Sequence, residues 1–358
     1  MAKLKFTSFI PVLTQPAVFN VLKDNNLNLI AQGIRDKGVS IEPFLSQDPS
    51  PTSWRSAGLI NAFKDDLIYE IEPGKHLMAV QFNERILPST VRDEYLAKEV
   101  QKFNEREGRA IGKKDYAMLK EEVEFSLLPK AFLRRSVTPV IFIAKQKLVL
   151  ICTTSPKRAE DTVAILRALF DAQSQTATTW AFVTPENSLV GQMTAVAKDG
   201  FNSDEHQQFM ITDNAVLRGE GKQTIRIKDK DVEGHDVVQL LKQAYDVHEL
   251  GLSYDPTGND ESRLLSFTLS DKMVFKRLKF DDGAAKIEYG ETETKDDQIA
   301  AVMWLTARTY ADMLVALMAE FGGYKSLSDL KREAKEEAKA AVKANAVDPL
   351  NEDDDESL

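Results

Sequence analysis

Leu127-Leu128-Pro129-Lys130-Ala131-Phe132-Leu133-Arg134-Arg135-Ser136 joins a helix stop, an aromatic and a cluster of cations within ten residues. Pro129 disfavours α geometry at Leu128, so the helix running into it ends there and gives way to a turn. Beyond it lie a short apolar knob and a basic collar, in which Lys130, Arg134 and Arg135 carry three positive charges with no acid in the stretch to neutralise them. Upstream, Val91, Tyr95, Leu96, Val100 and Phe103 share one helical face, with Thr90 and Asp93 as a capping pair, until Gly108 to Gly112 breaks the pattern. A second helix follows from about Lys113 to Leu127, so the two form an antiparallel pair with Arg106, Arg109, Lys113 and Lys114 at the linking turn. Downstream, Val140–Ala144 and Lys147–Thr153 read as paired strands, too apolar to be exposed on both faces.

The rest of the chain alternates in the same way. Lys5 to Val12 reads as a short strand ended by Pro11, and Pro16 opens a helix through about Asp36. Ser46 to Ser56 is a loop by composition, and Asp66–Glu72 and His76–Asn83 form a hairpin about Pro73-Gly74-Lys75. Ser155 caps a helix from Lys157 to Phe170 with Pro156 in its first turn. Trp180–Val183 is apolar, and Ser188 to about Lys198 is helical. Thr224–Lys230 alternates as a strand with cations on one side, Gly234–Val247 is helical, and Leu250–Tyr254 begins another strand. Leu264–Leu269 and Met273–Phe280 pair about Ser270-Asp271-Lys272, and a long helix from Asp297 to Phe321 ends at Gly322-Gly323. The fold class is α+β, a mixed α/β protein of antiparallel hairpins and sheets with packed helices. After the double glycine, Leu327–Ala346 is a solvated Ala/Lys/Glu helix, and Asn351–Leu358 is an acidic end with the composition of a disordered tail.

Composition narrows the function. With 358 residues and 43% hydrophobic content, the chain can bury a sizeable core. No window approaches the roughly 18 apolar residues of a membrane helix, and the N-terminal apolar run is too short for a leader, which points to a soluble, intracellular protein. Net charge is −10, which argues against a surface that coats nucleic acid everywhere and permits a localised basic face. Ser126 to Arg167 carries a net +6, whereas Ser326 to Leu358 carries a net −5. An acidic tether of this kind can fold back over a basic surface as a mimic of phosphate.

Cations recur at Arg109, Lys113 and Lys114, at Lys130, Arg134 and Arg135, at Lys157 and Arg158, at Lys228 and Lys230, and at Lys276, Arg277 and Lys279. Any one cluster can be a solvated face; their recurrence in an acidic chain favours contact with phosphates. Lys157 and Arg158 stand out, because a helix N-terminus already carries partial positive charge and two cations there cost roughly 0.3–1 kcal/mol each relative to acids. Something anionic is expected to approach. No catalytic constellation emerges: the four histidines are scattered, and pairs such as Glu160-Asp161 or Asp281-Asp282 fit a Mg²⁺ site less well than turns and helix surfaces. Cys152 lies in an apolar run and reads as a core thiol.

The Leu127–Phe132 segment resembles the Leu-Leu-Pro-(Arg/Lys)-Ala-Phe box of the RdgC family of recombination-associated, DNA-binding proteins. Ile86-Leu87-Pro88-Ser89, Lys157-Arg158-Ala159-Glu160-Asp161-Thr162 with Leu166-Arg167, and Leu278-Lys279-Phe280 after Lys276-Arg277 are similar to the family's other boxes, in the same order. Trp54 is what remains of a Gly-Trp-Val-Pro-like segment, and the chain beyond the double glycine departs from the family pattern. The resemblance implies a DNA-binding region over 1–323, with sub-regions of about 1–85, 86–170 (bearing the helical hairpin tip) and 171–323, and an extension over 324–358. It implies a crescent-shaped monomer that pairs into a ring-shaped homodimer around double-stranded DNA, Phe132 lying at a subunit contact; the residue types alone leave Phe132 equally readable as a core aromatic. It implies further a nucleoid-associated cytoplasmic protein without catalytic residues, metal or cofactor, which binds duplex regardless of sequence and restrains RecA-mediated recombination. A Mg²⁺-dependent nuclease or other DNA-processing enzyme, and a scaffold meeting a basic partner through the acidic tail, are the alternatives.

Overall fold

The computed structural model of the chain describes residues 4–24, 27–28, 39–201, 208–221, 223–229, 232, 234–257, 264–281 and 294–345. These residues form eight α-helices and twelve strands in antiparallel ladders, a mixed α+β architecture. The chain divides into two compact units: Met1–Ile10, Pro16–Thr178 and Tyr289–Arg308 make one, and Pro11–Gln15, Thr179–Glu288 and Thr309–Leu358 the other.

In the first unit β2 (Arg55–Ile60), β4 (Lys75–Ile86), β5 (Phe132–Ile143) and β6 (Leu148–Ile151) lie in that order, with β3 (Tyr69–Glu72) beside β4. The β4–β5 ladder runs without a slip from Lys75 opposite Ile143 to Ile86 opposite Phe132. Its Lys75 end is core: Leu77 to Val80, Val140 to Ile143 and Leu148 to Ile151 have no exposed surface. Runs so apolar must be covered on both faces, as their composition requires. One cover is α4 (Pro156–Ser174), whose Phe170 ring lies 5.7 Å from Phe142. Burying each such ring contributes about 1.5–3 kcal/mol. The Ser155 hydroxyl caps α4 as expected, accepting the Arg158 N–H, and α1 (Pro16–Lys23) packs on the helix.

Helices α2 (Ser89–Glu107) and α3 (Lys113–Leu127) form the expected hairpin around a narrow seam of Leu96, Val123 and Leu127, with Leu87, Val100 and Leu119 beside it. Gly108 ends α2 at φ 64°, a left-handed conformation natural to glycine. The expected Thr90–Asp93 cap is not used: α2 starts behind Pro88 without a side-chain cap, and Asp93 accepts from Arg92 instead. Nor does Pro129 exclude α geometry at Leu128, which keeps φ −54° and ψ −45°; the chain tightens there into a 3₁₀ turn, Leu128–Lys130, before β5 begins. The strand expected from Val140 therefore starts eight residues earlier, because pairing with β4 outweighs the charged composition of its first half.

In the second unit the order is β12 (Phe275–Phe280), β11 (Leu265–Ser270), β10 (Asp246–Tyr254), β8 (Phe209–Arg218) and β9 (Thr224–Ile227). β7 (Trp180–Phe182) pairs with β1 (Ser8–Thr14), in which Pro11 is an interior residue whose carbonyl accepts from Val183, so it does not end the strand. Helix α5 (Leu189–Asp199) packs on β10, and the buried Thr194 hydroxyl accepts the Val247 N–H at 2.9 Å. Helix α6 (His235–Lys242) stops short of the expected Val247, since Ala244 turns at φ 60° and Asp246 to Glu249 enter the ladder with β8.

Helix α7 (Lys295–Glu320) contributes to both units and ends where expected, at Gly322 (φ 84°) and Gly323 (φ 95°), the Gly323 N–H reaching back to Met318. It corrects one expectation, because an 18-residue window of α7 has mean hydropathy 1.2, enough in length and composition for a membrane span. Half of that window is buried, and Met303, Leu305, Tyr310, Leu314 and Leu317 are core residues. The solvated helix after it is α8 (Leu327–Asn345), capped by Ser326; residues 346–358, with the acidic end, lie outside the described residues.

His76, on β4, is 6% exposed, its Nδ1 has no hydrogen-bond partner, and Nε2 lies 4.0 Å from Glu70. Burial lowers its pKa from the ordinary 6.5, and Glu70 only partly opposes the shift. The unfolded chain therefore takes up the proton first, so this group's contribution is present above pH 6.5 and lost as pH falls below it. Melting temperatures of wild type and His76→Phe should diverge as pH drops from about 7.5 to 5, the variant losing less.

Candidate nucleic-acid interface

Where β2, β4 and β5 leave the core, their register sets charged groups side by side: Arg55 lies opposite Glu84, and Glu84 opposite Arg134. Glu84 Oε2 accepts from Arg134 at 2.5 Å and Oε1 from Arg158 at 3.2 Å. Arg158 also donates to the Ser136 hydroxyl at 2.8 Å and lies over the Phe82 ring at 4.3 Å, a cation–π contact. The Arg134 bond, with Arg158 and Arg55 nearby, holds the Glu84 carboxyl below its ordinary range against the opposing effect of burial. A cleft of about 480 Å³ opens here, lined by Arg55, Glu84, Ser155, Lys157, Arg158 and Asp161 among others. Near the start of α4 Glu84 thus gives Arg158 a carboxylate partner from within the chain, and Lys157 has no ion pair among the described residues.

The basic collar is not free of acids, as its local sequence suggests. Arg134 pairs with Glu84, and Arg135 makes two bonds to Asp48, at 2.9 and 3.1 Å. Both carboxylates come from distant segments, so local composition could not reveal them. Lys130 is exposed and has no ion pair among the described residues, and Phe132, at the start of β5, is 77% exposed. As a surface aromatic, Phe132 is not part of this chain's core.

The loop expected over Ser46–Ser56 stops at Trp54, because Arg55 and Ser56 already pair with β4, and it is tied to the opposite face. Asn83, with no exposed surface, donates to the Gln47 carbonyl at 2.8 Å and to the hydroxyls of Ser46 and Ser56 at 3.1 and 3.2 Å. Arg85 donates to the carbonyls of Pro49 and Leu128, joining this loop to the Leu-Leu-Pro turn. Gly58 is needed beneath it, since a Cβ there would come within 2.6 Å of the Leu45 backbone. Trp54 is 41% exposed, and its carbonyl accepts the Arg85 N–H.

The second unit gathers another set. A cleft of about 310 Å³ is lined by Arg218, Arg226, Lys228, Glu249, Lys276 and Arg277 together with uncharged neighbours. A bulge in β12 explains how successive cations share it: the register slips opposite Phe267, Arg277 takes φ 54°, and Phe275 and Leu278 both remain buried. Lys276 pairs with Glu249 at 2.8 Å, whereas Lys228, Arg277 and Lys279 are exposed without an ion pair among the described residues. Lys230 lies outside the described residues. Arg109, Lys113 and Lys114 sit at the α2–α3 turn, where Arg109 bonds Asp115 at 2.8 Å.

Sequence reasoning missed Arg55, Arg218 and Arg226. Arg226 was detectable, being two residues before Lys228 on the same strand face; Arg55 and Arg218 stand alone in sequence and join their clusters only through strand pairing. Among the described residues no group of three His, Cys, Asp or Glu side chains could hold a metal ion. Cys152 is buried, and burial pushes its thiol pKa up.

Fold and surface together define an acidic α+β protein with cationic clefts built across antiparallel strands. A profile of the family described as "Putative exonuclease, RdgC" matches residues 39–324. "Recombination-associated protein RdgC" of Pseudomonas syringae pv. syringae is 31% identical over 253 residues, 69% of this chain and 77% of that protein. The proteins of the same name from Pseudomonas fluorescens and Shewanella loihica are 30% and 28% identical, over 69% and 68% of this chain and 77% and 75% of their own lengths. The chain belongs to the RdgC family of recombination-associated proteins.

Removing the fully buried Asn83 amide deletes at once three hydrogen bonds, to the Gln47 carbonyl and to the Ser46 and Ser56 hydroxyls. Asn83→Ala should destabilise the protein by about 1–3 kcal/mol in chemical denaturation and expose the Ser46–Trp54 loop to protease.

Proposed function

We propose that this protein binds double-stranded DNA through backbone phosphates, without sequence preference, as a homodimer closed into a ring around the duplex. By occupying the duplex it restrains RecA-mediated recombination, and it works on the nucleoid in the cytoplasm. The observation that carries the reading is the second unit's cleft, where Arg218, Arg226, Lys228, Lys276 and Arg277 converge in a protein of net charge −10. A concentration of cations against the overall sign suits a polyanion. Contacts from Lys and Arg to phosphate oxygens position a protein on the duplex and carry no sequence information, which supports binding indifferent to sequence. The relatives' printed names, which associate them with recombination, agree with this reading.

The exposed Phe132 supports the subunit contact. An aromatic left in water at the edge of a strand costs solvation that a partner's surface removes.

Short duplexes of unrelated sequence should bind with similar affinity, and log affinity should fall against log salt with a slope of roughly −0.9 per phosphate contacted. Salt-insensitive binding, or strong preference for one sequence, overturns the reading. Including Mg²⁺ and plasmid separates the enzymatic alternative: retardation without cleavage supports a binding protein, and nicks or shortened products support the nuclease that the family's description names.

Phe132→Ala should weaken self-association measured by sedimentation by about 2 kcal/mol, and DNA affinity with it. A wild type that is monomeric at every concentration removes the ring.

A further inference from the structure

We propose that Glu84 is a positioning residue for DNA: it holds Arg134 and Arg158 beside Arg55 so that the donors left over on these guanidiniums converge on one backbone phosphate. The inference rests on the duplex-binding reading above and adds to it a residue of the wrong charge.

Three strands set the geometry. Arg55, Glu84 and Arg134 occupy facing positions on β2, β4 and β5. Adjacent strands lie about 4.8 Å apart, so the carboxylate stands between two arginines, and the first turn of α4 adds Arg158 as a third. The bonds consume little of the available capacity. A guanidinium has five N–H donors, and Glu84 engages one terminal nitrogen each of Arg134 and Arg158. Arg134 remains 62% exposed, with its Nε and other terminal nitrogen uncommitted to any described partner. Arg158 is fixed by Ser136 and the face of Phe82 as well and is 23% exposed, a cation whose direction is set before a ligand arrives.

Charge bookkeeping leaves the patch positive. Arg55, Arg134, Arg158 and Lys157 face Glu84 and Asp161, and among these groups the cations outnumber the acids by two. By sign alone Glu84 is misplaced, because a carboxylate repels a phosphate. Stability does not account for it, since ion pairs as exposed as Arg134–Glu84 contribute about 0–1 kcal/mol. Orientation does: a free arginine loses side-chain entropy when it meets a phosphate, and one already tethered loses less.

The two effects have opposite signs, which makes the test direct. If Glu84 acted only through its charge, its removal would tighten binding to a polyanion; if it positions the arginines, removal weakens binding. The full-length protein and Glu84→Gln are titrated into a short fluorescein-labelled duplex between about 50 and 200 mM salt. Glu84→Gln is expected to bind about tenfold more weakly at a melting temperature near that of wild type. In an Arg134→Ala/Arg158→Ala background the same change should no longer weaken binding, a non-additivity that a general loss of folding would not produce. Glu84→Asp, which keeps the charge and shortens the reach, is expected to fall between the two and serves in the same cycle should Glu84→Gln fail to fold. Wild-type binding with equal or tighter binding by Glu84→Gln, or additive losses in the cycle, overturns the inference and leaves the duplex-binding reading standing. Failure of wild type to bind duplex overturns that reading itself.

Discussion

The unbroken β4–β5 ladder is the constraint on which the first unit depends. Because its register does not slip between Lys75 and Ile86, the same pair of strands is core at one end and cationic surface at the other. The buried end fixes the register through close packing on both faces: a slip by one residue would move Phe142 away from Phe170 on α4 and put a neighbour of different size and shape in its place. The polar end inherits that alignment and has no freedom to choose its neighbours. Arg134 meets Glu84, Arg135 lies beside Asn83, and Phe132 projects from the edge, all because hydrophobic burial some eight residues away has set the phase.

The same dependence explains what the sequence revealed. Elements whose information is local were legible: the capped start of α4 at Ser155-Pro156, the α2–α3 hairpin with its glycine break, and the double glycine after α7 all follow from backbone preferences within a few residues. Elements decided by a distant partner were not. The first half of β5 looks like an exposed basic turn until β4 pairs with it, and Asp246 and Val247 look helical until β8 claims them. Pro11 shows the converse, since a residue that usually ends a strand is tolerated inside β1, where the carbonyl is used.

The candidate site was half legible for a related reason. Clusters contiguous in sequence, such as Lys276-Arg277, announce themselves, but the bulge that lets both face the same cleft shows only in the structure, as the register slip opposite Phe267 and the positive φ at Arg277. The carboxylates that pair with the cations come from other strands and loops: Asp48, Glu84 and Glu249 are far in sequence from Arg135, Arg134 and Lys276. Counting cations along the chain therefore overstates the free positive charge. It also hides the organisation that the acids impose.

That organisation recurs. In each unit a carboxylate on an interior strand, Glu84 on β4 or Glu249 on β10, accepts from a cation on another strand while further cations line the same cleft without using it. A surface meant only to attract a polyanion would do better without either acid, since long-range attraction depends on net charge and is blunted by salt beyond roughly a Debye length. A surface meant to meet phosphates at fixed places gains from side chains already held in position, which lose less freedom on contact. In a chain whose net charge is −10, long-range attraction is weak in any case. Under the proposed duplex binding, affinity would rest on short-range contacts, and for those the placement of each guanidinium matters more than the number of cations.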